Sequence, residues 1–290
     1  MKKQVTILGI NGGFGALFSR LLFSDEELTI TGVDLNDSIH QNSNCSRYIP
    51  SDVSVFNEEL KLVIGSSDVI IICLPEDAAY HFLNLYKRFI SQTALLIDTL
   101  SIKAKVASSY IENDFNALSL NPMFGPDLPM EGKNIIVIKF KSSQTSEWFI
   151  ALLKTWRLQM VYTTSDEHDK MSSYIQVATH ATLMAFGITL NNADIPVTEL
   201  LKVATPPFLN MTALFGRIIS GNKNVYWNIQ KENGYASAIR KTLINNLIAL
   251  DKSIDEGGEE DFNKLIEVKT PEQKEFFQKL SNHFLSQIKI

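Results

Sequence analysis

The feature that most constrains this chain is a glycine-rich turn between an apolar run and an amphipathic one. Val5-Thr6-Ile7-Leu8 leads into Gly9-Ile10-Asn11-Gly12-Gly13-Phe14-Gly15, and helical periodicity follows over Phe14–Phe23. Gly9 permits a tight turn, Gly12 and Gly13 let backbone approach a ligand, and Gly15 lets the helix pack closely on the strand. The helix N-terminus offers free N–H groups and a partial positive charge, which suits a pyrophosphate. The spacing GxxGxxG is one residue longer than the commonest dinucleotide fingerprint. Asp34 ends the second β-rich run, where a carboxylate accepts from ribose hydroxyls and repels a 2′-phosphate. Leu35-Asn36-Asp37 follow without an arginine, so the expected cofactor is NAD rather than NADP. The expected contacts are Gly9, Asn11, Gly12, Gly13, Phe14, Gly15 and Asp34, with Leu74 and Pro75 at the end of a third apolar run.

The first half alternates β-rich and amphipathic segments. Val5–Leu8, Leu28–Val33, Val69–Leu74, Ala94–Ile97, Leu118–Leu120 and Ile135–Ile138 read as strands. They are continuous apolar runs, as expected when both faces of a parallel sheet are covered. Phe14–Phe23, Asn57–Ile64 and Asp77–Phe89 read as helices between them. The expectation is an α/β fold, a doubly wound, mainly parallel sheet of the Rossmann type over residues 1–164. From Ser165 the pattern turns helical, and residues 165–290 are expected to form an all-helical domain. Asp166–Leu190 reads as one long helix, apolar on several faces, which asks for burial on several faces and points to completion by a partner subunit. Pro206-Pro207 is expected to interrupt the helical array, and Asp255–Asp261 to form a solvated acidic turn.

Composition narrows the partners. A net charge of −5, with Lys and Arg interleaved among acids, argues against nucleic acid. Two cysteines, Cys45 and Cys73, are too few for a disulfide framework; Cys73 is expected to be buried, and a reducing cytosol fits. The five histidines lack metal-ligand spacing, so no metal is expected. No apolar run is long enough to span a bilayer, and glycines break the N-terminal run where a signal peptide would need continuity. A cytoplasmic location is expected.

A second constellation lies beyond the turn: Asp98-Thr99-Leu100-Ser101-Ile102-Lys103, Asn121-Pro122-Met123-Phe124-Gly125-Pro126-Asp127, Glu167-His168-Asp169-Lys170, Gln176 to His180, and Phe215-Gly216-Arg217-Ile218 before Val225–Ile229. In this order the blocks resemble the prephenate dehydrogenase family, especially the dehydrogenase part of the enteric chorismate mutase–prephenate dehydrogenases, from about residue 4 to residue 245. The resemblance implies a Rossmann domain followed by a helical dimerisation domain, hence a homodimer. It implies NAD-dependent oxidative decarboxylation of a cyclohexadienyl acid. No mutase segment before the turn and no regulatory domain after the helical part are expected. By the same resemblance Ser101 hydrogen-bonds near the reacting C4 substituent and Lys103 supports that loop. His180 faces the substrate, with Gln176 beside it, and Arg217 pairs with a substrate carboxylate, for which a guanidinium offers two parallel donors. His168 and Asp169 hold the domain junction, and Trp227 packs.

One position departs from the family. The residue before Pro-Met-Phe-Gly-Pro is usually a histidine that takes the proton of the ring hydroxyl as hydride leaves C4; here it is Asn121. An amide accepts a hydrogen bond but is no base near neutral pH, and losing a general base typically costs about 10²–10⁴ in rate. An amino group at C4 removes the need: its lone pair assists hydride loss directly. The favoured substrate is therefore 4-amino-4-deoxyprephenate, giving 4-aminophenylpyruvate, as in p-aminophenylalanine and antibiotic biosynthesis. The alternatives are a prephenate or arogenate dehydrogenase of tyrosine synthesis whose base is displaced to His180 or a water, and an inactive NAD-binding sensor or scaffold.

Overall fold

The apolar runs fold into one sheet because each has two faces to cover. The computed structural model describes residues 2–41 and 43–287, so the outermost residues Met1 and Ile290 of the expected domains lie outside it. Two compact units divide the chain, Met1–Met171 and Ser172–Ile290.

The first unit holds eight strands: β1 (Lys3–Leu8), β2 (Leu28–Asp34), β3 (Arg47–Pro50), β4 (Val69–Ile72), β5 (Leu95–Asp98), β6 (Asn116–Pro122), β7 (Asn134–Lys139) and β8 (Gln159–Tyr162). They form a single sheet in the order β3-β2-β1-β4-β5-β6-β7-β8. All neighbours are parallel except β6 and β7. This is the doubly wound Rossmann arrangement expected from the alternation. The edge strands β3 and β8 were not among the strands expected; both are four residues long and largely solvent-facing.

Strand β4 shows why the runs are continuous. Ile70 and Ile72 join a core with Leu8, Val33 and Phe82 on one face, and Val69 and Ile71 join Ile7, Ile97 and Phe149 on the other. Each fully buried aliphatic side chain contributes about 1.5–3 kcal/mol. Helices α1 (Gly13–Phe23), α2 (Glu58–Ser66), α3 (Glu76–Tyr86), α4 (Ala104–Glu112) and α5 (Gln144–Thr155) cover the faces. The chain reverses winding between β1 and β4, so the glycine turn after β1 meets the end of β4 at the switch point where such sheets bind ligands. Cys73 lies there half-buried rather than buried, because it follows Ile72, the last residue of the central strand β4, where the chain leaves the sheet. Enclosure still pushes its thiol up to about 12.

Helix α6 (Ser165–Ser172) is followed by a π-helical turn (Ser173–Ala178) and α7 (Thr179–Asn191). The expected long helix thus exists but carries a π turn. The second unit continues with α8 (Val197–Leu200), a 3₁₀ turn (Leu201–Val203), α9 (Pro206–Ser220), α10 (Lys223–Glu232), α11 (Ala236–Asp255), α12 (Glu259–Ile266) and α13 (Pro271–Gln287). Pro206 opens α9 rather than merely interrupting the array: at the first helical position its missing N–H costs nothing. Helices α7 and α9 meet closely at Gly187, where a Cβ would overlap the Phe215 ring. The segment Asp255–Asp261 is exposed as expected, but the turn is shorter than expected: Asp255 ends α11, Glu259 to Asp261 open α12, and only Glu256 to Gly258 lie between the helices. Among the described residues no helix is long and apolar enough to cross a membrane.

Candidate functional site

At the glycine turn backbone occupies the space that side chains would take. Gly9 has φ +75°, and a Cβ there would overlap the Cys73 carbonyl oxygen. A Cβ on Gly15 would overlap the Gly9 carbonyl, and one on Gly13 would overlap Pro126. Helix α1 has no acidic residue in its first turn and no side-chain cap. Its N–H groups are therefore left to an anion, and the cradle fits a pyrophosphate.

Asp34 is held at the end of β2. Its Oδ2 accepts the Asn11 N–H at 2.9 Å and its Oδ1 accepts the Leu35 N–H at 2.8 Å. Each oxygen keeps a lone pair for a ribose hydroxyl. The Asn11 side chain is occupied otherwise: Nδ2 donates to the Ser38 carbonyl and the Tyr48 hydroxyl, both at 3.1 Å, and Oδ1 accepts the His40 N–H at 2.7 Å. Tyr48 in turn donates to the Asn36 carbonyl at 2.7 Å. Asn11 thus shapes the rim beside Asp34 through its side chain, a task the motif does not announce. Leu74 lies half-buried against Gly9, and Pro75 is exposed just before α3.

Within the first unit, the blocks at Asp98–Lys103 and Asn121–Asp127 lie at the same end of the sheet, after β5 and at the end of β6. Phe124 packs edge-on against Phe14, ring centroids 6.1 Å apart, and Pro126 covers Gly13. Ser101 is half-buried; its N–H donates to Oε1 of the buried Glu76 at 3.1 Å. Lys103, expected beside Ser101 to support the catalytic loop, is 0% exposed and is therefore not placed to touch a substrate itself. Its ammonium donates to Asp98 Oδ1 at 2.9 Å and to the Leu120 carbonyl at 2.8 Å. Burial pushes the lysine pKa down, opposed first by Asp98. Tyr110 donates to the other Asp98 oxygen at 3.1 Å. Lys103 is a positioning residue that fixes the backbone beside Asn121.

Asn121 is the penultimate residue of β6 and is 4% exposed. Its Nδ2 lies 2.8 Å from His168 Nε2, while His168 Nδ1 lies 2.8 Å from Asp169 Oδ1. A carboxylate only accepts, so Nδ1 carries a proton. Burial holds the His168 pKa below its ordinary value, against the pull of Asp169, so the ring is neutral. Nε2 is then an acceptor, the Asn121 amide donates to it, and the amide oxygen stays available as an acceptor. Asp169 also accepts the N–H groups of Lys103 at 2.9 Å and Ala104 at 2.8 Å, serving as the remote cap of α4. Both residues, read from the sequence as junction holders, are packed within the first unit against α4 and β6. Glu76, Tyr48 and the His168–Asn121 bond had no sequence signal, since their partners are distant in the chain; Asp98 opens the block around Ser101, but its pairing with Lys103 was not expected.

In the second unit, His180 stacks edge-on against Tyr226 with ring centroids 4.9 Å apart, and burial lowers its pKa. Among the described residues His180 Nδ1 and the nearby Gln176 Oε1 are buried without partners. Gln230 donates to the Val177 carbonyl in the π turn at 2.9 Å. Arg217 on α9 is exposed. An apolar groove of about 780 Å³ is lined by Met184, Ile188, Phe215, Tyr226 and Trp227 among others.

Residues 164–268 match the family model of the prephenate dehydrogenase dimerization domain. The 4-amino-4-deoxyprephenate dehydrogenase of Streptomyces pristinaespiralis is 29% identical over 268 residues, covering 90% of this chain and 88% of that protein. The probable arogenate/prephenate dehydrogenase of Methanocaldococcus jannaschii is 24% identical over 270 residues, and the match spans only 59% of its length. A solved prephenate dehydrogenase from A. aeolicus, in complex with hydroxyphenyl propionate and NAD+, shares the fold with a TM-score of 0.74 at 18% identity, over 97% of this chain and 98% of that one. With the nucleotide-type turn, the block at Asn121 and the matched dimerization domain, the chain is similar to prephenate dehydrogenases along most of its length.

Proposed function

We propose that this protein is an NAD-dependent dehydrogenase that converts 4-amino-4-deoxyprephenate to 4-aminophenylpyruvate and CO₂. Bound NAD would accept the hydride from C4. Gly9, Gly12, Gly13 and Gly15 would hold its pyrophosphate and Asp34 its ribose, favouring NAD over a 2′-phosphorylated cofactor. The C4 hydrogen leaves as hydride, pushed by the lone pair of the neutral amine. The electrons of the C1–carboxylate bond then flow into the ring, releasing CO₂ and leaving the neutral aniline. No proton has to leave the nitrogen, so no base is needed at position 121.

The observation that carries this reading is Asn121, whose amide nitrogen is engaged by a neutral His168 at 2.8 Å. An amide oxygen orients an N–H without the repulsion that a cationic imidazole would exert on an amine. The likeness to the Streptomyces protein supports the same substrate. Ser101 would hydrogen-bond at C4, His180 and Gln176 would face the substrate, and Arg217 would pair with a carboxylate. The reading includes a cytoplasmic homodimer formed through the helical unit. It is tested by following NADH absorbance with purified protein on both substrates. A higher kcat/KM on the amino compound is expected; equal or better turnover of prephenate would overturn the assignment and favour the tyrosine-pathway activity of the Methanocaldococcus type.

A further inference from the structure

The amide of Asn121 has two chemically different ends, and the reaction needs only one of them turned to the ring. We propose that His168 is a positioning residue that fixes which end faces the substrate, and so helps set the choice between nitrogen and oxygen at C4. The proposal deepens the substrate reading above and rests on it for the direction of selectivity.

The geometry is a chain of three groups with one polarity. Asp169 is anchored by the N–H groups of Lys103 and Ala104 at the start of α4. It accepts from His168 Nδ1 at 2.8 Å, which fixes the tautomer. Nε2 then accepts from Asn121 Nδ2 at 2.8 Å. His168 is 0% exposed, so the ring has no room to turn. With one amide N–H fixed on Nε2, the nitrogen end is turned toward His168 and the oxygen end is the acceptor offered to a ligand at the C-terminal end of β6. Without this restraint the amide can rotate by half a turn and present N–H, which suits a hydroxyl oxygen as well as it opposes an amine donor. The charged and titratable groups around the ring are Asp169 on its own helix, Lys103 before α4 and Asp98 at the end of β5. Protonating the ring would turn Nε2 into a donor and demand the reverse amide orientation.

The test is a double-mutant cycle on the full-length protein, with NADH formation measured on both substrates. His168→Leu should lower kcat on the amino compound by about tenfold to a hundredfold, the scale expected of a misplaced contact, with little change in NAD affinity. The preference for the amino compound should shrink with it. In an Asn121→Ala background the same substitution should add little, because His168 acts through the amide. His168→Gln, whose carbonyl can accept the same N–H, should restore much of the loss. It should also remove the decline in amino-substrate kcat expected of wild type in acid, which should set in below the ordinary histidine value of about 6.5 because burial lowers the His168 pKa. Equal losses in the two backgrounds, or unchanged selectivity in a folded His168→Leu protein, would overturn the proposal. If wild type uses prephenate alone, the substrate reading fails by itself, and the cycle run on prephenate still decides whether His168 and Asn121 are coupled.

Discussion

At position 121 a neutral amide takes the place where the family usually has a base, and a histidine stands one hydrogen bond behind it. The substitution itself was legible in the sequence, because the block around it is contiguous. The histidine behind it was not, since it lies 47 residues away and only folding brings the pair together. The glycine turn was legible for the opposite reason: its demands are on local backbone. Gly15 illustrates this, because any Cβ there meets the Gly9 carbonyl. Gly15→Ala should therefore weaken NAD binding at least tenfold, with a smaller effect on overall stability than a core truncation of about 2–5 kcal/mol. Fluorescence titration with NAD, paired with a denaturant melt, checks this. Unaltered affinity would show that the helix does not need its close approach to the turn.

At the scale of elements, the strand ends are tied by a buried ion pair. Lys103 links Asp98 at the end of β5 to the Leu120 carbonyl in β6. Replacing one partner of a buried pair leaves an uncompensated charge, which costs about 3–5 kcal/mol. Lys103→Met should lower unfolding free energy by that amount in urea, and a loss under about 1 kcal/mol would mean that Asp98 finds other compensation or a proton. The doubly covered strands were readable as apolar runs, whereas β3 and β8 are exposed edges whose pairing no local pattern encodes. The π turn at Ser173–Ala178 was equally invisible, because it lies within a stretch with ordinary helical composition. The expected long helix, read as asking for burial on several faces, is not covered on all of them in the single chain: Tyr174, Ile175 and Ile188 are exposed.

For the whole molecule, that exposure extends to Ile244, Leu247 and Ile248, and to Trp227, which was expected to pack but is 64% exposed in the single chain and lines the groove of about 780 Å³ in the helical unit. A large apolar surface of this kind marks an association site, and a second copy is the expected occupant in a chain carrying this dimerization domain. Light scattering after gel filtration should give twice the 32.6 kDa chain mass, and Trp227→Glu should shift the protein toward monomer. A monomeric wild type would contradict the homodimer. The substrate is encoded more sparsely than the fold or the cofactor, since it rests on one amide and on what holds it. The direct measurement is NADH formation by wild type and Asn121→His on 4-amino-4-deoxyprephenate and on prephenate. The account predicts that wild type favours the amino compound and that the histidine shifts the ratio of kcat/KM values toward prephenate. An unchanged ratio, or a wild type that prefers prephenate, would contradict it.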